Sequence, residues 1–146
     1  MERNDVVNDL NVLLRDELSA TETYRQALDK IRDEHGQDAR FQQLAEMQRD
    51  HEQAAAELRS MIQQMGGQAS NDSGAWGAWS RTVMGTAKLL GDKAALKALK
   101  EGEESGLKDW DTLQERCPPQ MRAQFEPTIA REREHVRQLD RLIEAA

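Results

Sequence analysis

Cysteine is nearly missing from this sequence: Cys117 is the only one in 146 residues. One thiol excludes an internal disulfide framework and a cysteine-based zinc cluster, and it fits a reducing compartment. Proline is confined to Pro118, Pro119 and Pro127, so nothing of that kind breaks a helix in the first 117 residues. Val, Ile, Phe, Tyr and Trp together number 15, too few to furnish a β-sandwich or barrel. No apolar run approaches the ~20 residues that span a bilayer, so no membrane partner is expected. The opening stretch MERNDVVNDL has no apolar signal core, and a cytoplasmic location is expected. Positive charge is the minority, 20 Lys and Arg against 27 Asp and Glu, for a net charge of −7. Without a basic stripe the chain is a poor nucleic-acid binder, because phosphate contact needs clustered Lys and Arg.

What the sequence does have is Ala, Glu, Lys, Arg and Leu, 68 of 146 residues. That share at helical spacing specifies long amphipathic helices. The first apolar line runs Val7, Leu10, Leu14, Glu17, Thr21, Tyr24, Leu28, Ile31 in alternating steps of three and four, one face of a helix. The same reading places helices at about 4–35, 38–65, 74–90, 93–116 and 119–145. Gly36, Gly66-Gly67, Gly91 and Pro118-Pro119 separate them, Asp92 caps one start and Pro119 opens another. The connections at 36 and 118 are short, so each flanking pair is antiparallel. Residues 66–91 are long enough to run most of the ~42 Å of a long helix. This predicts one all-α domain over 1–146, an antiparallel four-helix bundle with a long crossover carrying a short fifth helix. Trp76 and Trp79 should pack that helix onto the bundle, or mark an oligomer surface if exposed. Pro127 should kink the last helix or split off its first turns.

The apolar lines are broken by polar residues near mid-helix: Glu17 in the first, Gln48 and His51 in the second, Glu103 in the third, Glu132 and His135 in the fourth. Charged groups rarely occupy a buried stripe unless paired or bound to metal. Their offsets from the two turns, roughly 15 to 18 residues, agree within a helical turn, so they can meet at one level. The halves also repeat. Glu17 is followed seven residues on by Tyr24, and Glu103 by Trp110. Then comes a residue pair ending in His, Gln48 with His51 and Glu132 with His135. Residues at i and i+3 share a face, so Glu132 and His135 can offer oxygen and nitrogen to one metal. The same residues also suit a metal-free network in which the glutamates pair with the histidines and fix helix register. Tyr24 and Trp110 read as core residues, Tyr24 with its hydroxyl at a partner. Asp50, Glu22, Glu46, Glu52, Glu101, Glu104 and Glu134 fall by phase on flanks or in solvent.

These features carry a resemblance. DELSATETYRQAL, SGAWGAW, GDKAALKALKEGEESGLKDW, CPPQMR and EREHVRQLDRLI, in that order over about residues 6–145, resemble the ferritin-like superfamily. More closely they resemble a bacterial family of uncharacterised ferritin-like proteins, domain of unknown function 2383. The wider resemblance implies non-haem iron, with manganese as the alternative, in a di-metal centre whose oxidant is dioxygen or peroxide. An enzyme of this kind would be a di-iron oxidoreductase of ferroxidase type. The implied ligands are Glu17, His51, Glu103, Glu132 and His135. The superfamily pattern has Glu where this chain has Gln48, a weaker ligand for a hard cation. The alternative is a metal-free bundle acting in stress tolerance or protein interaction; under either reading the expected protein partner is a second copy of the chain, in a homo-oligomer.

Overall fold

The computed structural model describes residues 3–72, 78–86 and 88–146, with only the backbone of 78 and 79. These residues form α1 (Arg3–His35), α2 (Ala39–Gln64), α3 (Ala78–Gly85), α4 (Lys93–Arg116) and α5 (Pro119–Ala145), with a 3₁₀ turn at Leu89–Gly91. Among the described residues there is no strand, and no helix is long and apolar enough to cross a membrane.

Helix ends follow the local chemistry. The Asp38 carboxylate accepts from the Arg40 N–H at the start of α2, and Asp92 accepts from the Ala95 N–H at the start of α4. At the end of α2, Gly66 adopts φ 77°. Its N–H reaches the Gln63 carbonyl and the Gly67 N–H reaches that of Ile62, a Schellman closure that favours glycine. Replacing the α4 cap, Asp92→Ala, should cost about 1 kcal/mol and lower the midpoint of a thermal melt by about 2–4 °C.

The structure corrects one sequence expectation, at α3, and narrows another, at Pro127. The helix expected over 74–90 is shorter: α3 ends at Gly85 and a separate 3₁₀ turn follows. The Thr86 hydroxyl accepts from the Lys88 N–H at 3.1 Å, a local bond that competes with helix continuation. Residues 73–77 and 87, which include Trp76, lie outside the described residues, as does the Trp79 side chain. Of the two outcomes expected at Pro127, a kink or a split, the split does not occur: α5 is continuous from Pro119 to Ala145. Burial of Phe125, Thr128 and Ile129 on the same helix outweighs the one missing N–H.

The four long helices surround two apolar clusters. One joins the C-terminal half of α1 to the starts of α2 and α4 and the end of α5, through residues such as Leu28, Leu44, Leu96 and Leu139. The other joins the start of α1 to the ends of α2 and α4 and the start of α5, through Leu10, Leu58, Trp110 and Phe125. Hence α1 lies antiparallel to both α2 and α4, and the 65–92 connection carries the chain from one end of the bundle to the other. Its first stretch is tied to α1, where the Asn11 amide bonds the Gln68 carbonyl and the Ser70 N–H. The polar mid-helix residues occupy the layer between the clusters.

Candidate metal centre

All five acidic and imidazole side chains singled out by the sequence are buried, each at most 2% exposed. The structure brings them together. His51 of α2 is central: its Nδ1 is 2.6 Å from Glu17 Oε2 of α1, and its Nε2 is 2.6 Å from Glu103 Oε1 of α4. Glu132 Oε2 of α5 lies 3.7 Å from His51 Nδ1. His135, one turn further along α5, places Nδ1 at 3.3 Å from Glu103 Oε2. Two trios, Glu17–His51–Glu132 and His51–Glu103–His135, each have ligating atoms within 4.8 Å of one another.

The sequence repeat acquires a physical meaning here, because the partners cross. Tyr24 of the first half donates to Glu103 of the second, Oη to Oε1 at 2.7 Å. Trp110 of the second half donates to Glu17 of the first, Nε1 to Oε1 at 3.2 Å. On antiparallel helices a shared seven-residue spacing brings each aromatic donor level with the opposite glutamate. Glu17 is thereby held at Oε1 while Oε2 faces His51; in Glu103 one oxygen, Oε1, meets both Tyr24 and His51, and Oε2 faces His135.

Asp50 sits half-exposed on the flank where its phase puts it, yet it reaches the cluster through His135. Its carboxylate lies 2.8 Å from His135 Nε2, and that hydrogen bond holds its pKa below the usual carboxylate range. An ionised Asp50 can only accept, so Nε2 carries the proton and Nδ1 is the His135 nitrogen aimed at the cluster. This is the carboxylate–histidine arrangement that orients an imidazole toward a metal. Gln48 goes elsewhere: its amide donates to Glu52 at 3.0 Å, and it does not line the cavity at the cluster. Glu134 is likewise engaged outside, by Arg137 and Arg141.

The electrostatics are those of a site short of positive charge. Burial works against the His51 imidazolium, yet the carboxylates of Glu103, Glu17 and Glu132 outweigh it and raise His51 well above its ordinary value. For His135, burial is likewise outweighed by the Glu103 charge and the Asp50 bond. Burial pushes Glu103 up, but the two imidazoles more than reverse it and leave it well below the carboxylate range. Glu132 is driven far up by burial and by the adjacent Glu17. Its Oε2 is buried without a hydrogen-bond partner among the described residues. A cavity of about 10 Å³, the size that admits one water-sized sphere, lies against Glu17, His51, Glu103 and Glu132. At its outer side is Asp16, whose carboxyl is pushed up to about 9 by burial and by a hydrogen bond to Asp109. Three carboxylates, two imidazoles, an orphaned oxygen and a small void are a donor set into which a divalent transition ion fits.

The model of the family described as Domain of unknown function (DUF2383) matches residues 5–115, more than half of the chain. The chain belongs to that family. The match contains Glu17, His51 and Glu103, whereas Glu132 and His135 lie on α5 beyond it. No curated protein and no solved structure matches this DUF2383 chain.

Proposed function

We propose that this DUF2383 protein is a ferritin-like bundle that holds a buried non-haem transition metal, iron or manganese, between its four long helices. The observation that carries the reading is the convergence of three carboxylates and two imidazoles from four helices, with a small cavity against Glu17, His51, Glu103 and Glu132, the last of which has an oxygen without a hydrogen-bond partner among the described residues. The long connection between the second and third long helices supports the ferritin-like assignment. Bound iron would supply ferrous–ferric redox chemistry toward dioxygen or peroxide.

The chain's own residues would divide the work. Neutral imidazole has one free lone pair, so each histidine serves one ion. His51, through Nδ1, would act with Glu17 and Glu132, keeping its Nε2–H on Glu103. His135, through Nδ1, would act with Glu103, keeping its Nε2–H on Asp50. The second set lacks the carboxylate that Gln48 replaces, so two ions would bind with unequal affinity.

The test is elemental analysis of protein from iron-supplemented cells, followed by anaerobic ferrous titration. Tight metal at one ion per chain or more is expected, with weaker binding as the pH falls, because the ion must displace protons that both imidazoles and Glu132 hold strongly. Trace metal that does not rise on loading would remove the reading. A second reading has its own support: every ring nitrogen of His51 and His135 already faces a carboxylate at 2.6–3.3 Å. That is the pattern of a metal-free network in an interaction or stress-related module, and it predicts full stability with no metal at all.

A further inference from the structure

The cavity beside the cluster is not sealed on every side. Its lining residues are buried except for two, Asp16 on α1 and Gly106 on α4, which are half-exposed. Between them the wall is made of very small residues. Ala20 on α1 faces Gly102 and Gly106 on α4, one turn apart. A Cβ added to Gly106 would meet nothing within 4 Å, so the missing side chain leaves real open space. Asp109 of α4 stands beside Asp16 of α1 at this mouth. At the inner end stands Glu132, 2% exposed, with Oε2 unpartnered.

We propose that the notch between α1 and α4, kept open by Gly102 and Gly106 and flanked by Asp16 and Asp109, is the inlet through which a divalent cation reaches the buried cluster. The proposal rests on the metal reading above and adds a direction of access to it. A divalent ion crossing from water needs oxygen donors along the way, and Asp16 and Asp109 provide them at the mouth, as Glu132 does at the far end. The void's size admits an ion that sheds its water stepwise, and excludes a bulky chelate. Asp16 and Asp109 act on arrival only, as oxygen donors that an ion meets before it reaches Glu132. They are not ligands in the resting site.

The test is stopped-flow binding of Co(II) alone to the full chain, read by cobalt absorption and by tryptophan fluorescence, with equilibrium stoichiometry measured on the same samples. Gly106→Leu, which fills the notch, should lose most of the association rate while the final stoichiometry stays that of the parent. Asp16→Asn is nearly isosteric and keeps the fold. It removes one oxygen donor at the mouth and should slow association by about threefold. Glu134→Ala, engaged outside the cluster by Arg137 and Arg141, should change neither. Association rates for Gly106→Leu and Asp16→Asn within twofold of the parent, with binding intact, would overturn the inlet and leave the metal centre standing. A parent protein that takes up no Co(II) would overturn both.

Discussion

His51→Ala should abolish tight metal binding and destabilise the metal-free protein by about 3–5 kcal/mol. Both losses come from one position. His51 would supply the imidazole of the first ion and, through its Nε2–H, hold Glu103 for the second, so its removal weakens both. It is also the cationic partner of Glu17 and Glu103, both buried at 2.6 Å from its ring. Leaving two carboxylates in a low-dielectric layer without that partner is the costly way to break a buried ion pair. Anaerobic ferrous titration measures the first effect and denaturant unfolding of metal-free protein the second. Glu134→Ala, on the outer face with Arg137 and Arg141, should leave both near parental values. Retention of metal by His51→Ala would show that the ligands lie elsewhere.

Trp110→Ala should cost about 3–5 kcal/mol through the cavity it leaves. Trp110 is fully buried, its ring centroid 5.2 Å from that of Phe125, and it belongs to the cluster that closes the bundle below the polar layer. Trp110→Phe separates packing from polarity. It retains most of the ring but strips Glu17 Oε1 of its N–H donor, a loss of about 1–3 kcal/mol for a buried acceptor. Urea unfolding of the two variants should therefore rank parent, Phe, Ala. If Trp110→Phe matched the parent in both stability and metal affinity, the indole N–H would have no part in holding Glu17.

Much of this centre was legible in the sequence, for a physical reason. Steps of three and four keep a residue on one helical face, so Glu17, His51, Glu103, Glu132 and His135 could be placed inside merely because apolar neighbours shared their phase. Asp50 escaped that reasoning. It adjoins His51, a rotation of about 100° around α2, and its inward partner comes from α5, which phase on a single helix does not reveal. Gln48 shows the converse limit: correct spacing from His51 did not stop its amide from turning to Glu52. The crossed pairing of Tyr24 and Trp110 needed the antiparallel sense of α1 and α4 as well as the repeat. The notch was illegible because it is made of what Gly102 and Gly106 lack. The shorter α3 reflects a Thr86 hydroxyl bond that apolar spacing does not weigh.

The hydrophilic layer lying between two apolar clusters has a consequence for assembly of the fold itself. Each cluster draws side chains from both helical hairpins, so greasy surface alone would tolerate one hairpin sliding along the other by a turn. Such a slide would carry Glu103 into hydrocarbon and detach the Tyr24 and Trp110 donors from their acceptors in the same movement. Misaligned bundles are thus penalised at several points at once, and the belt acts as a vernier that sets how the hairpins dock, whether or not an ion is held within it.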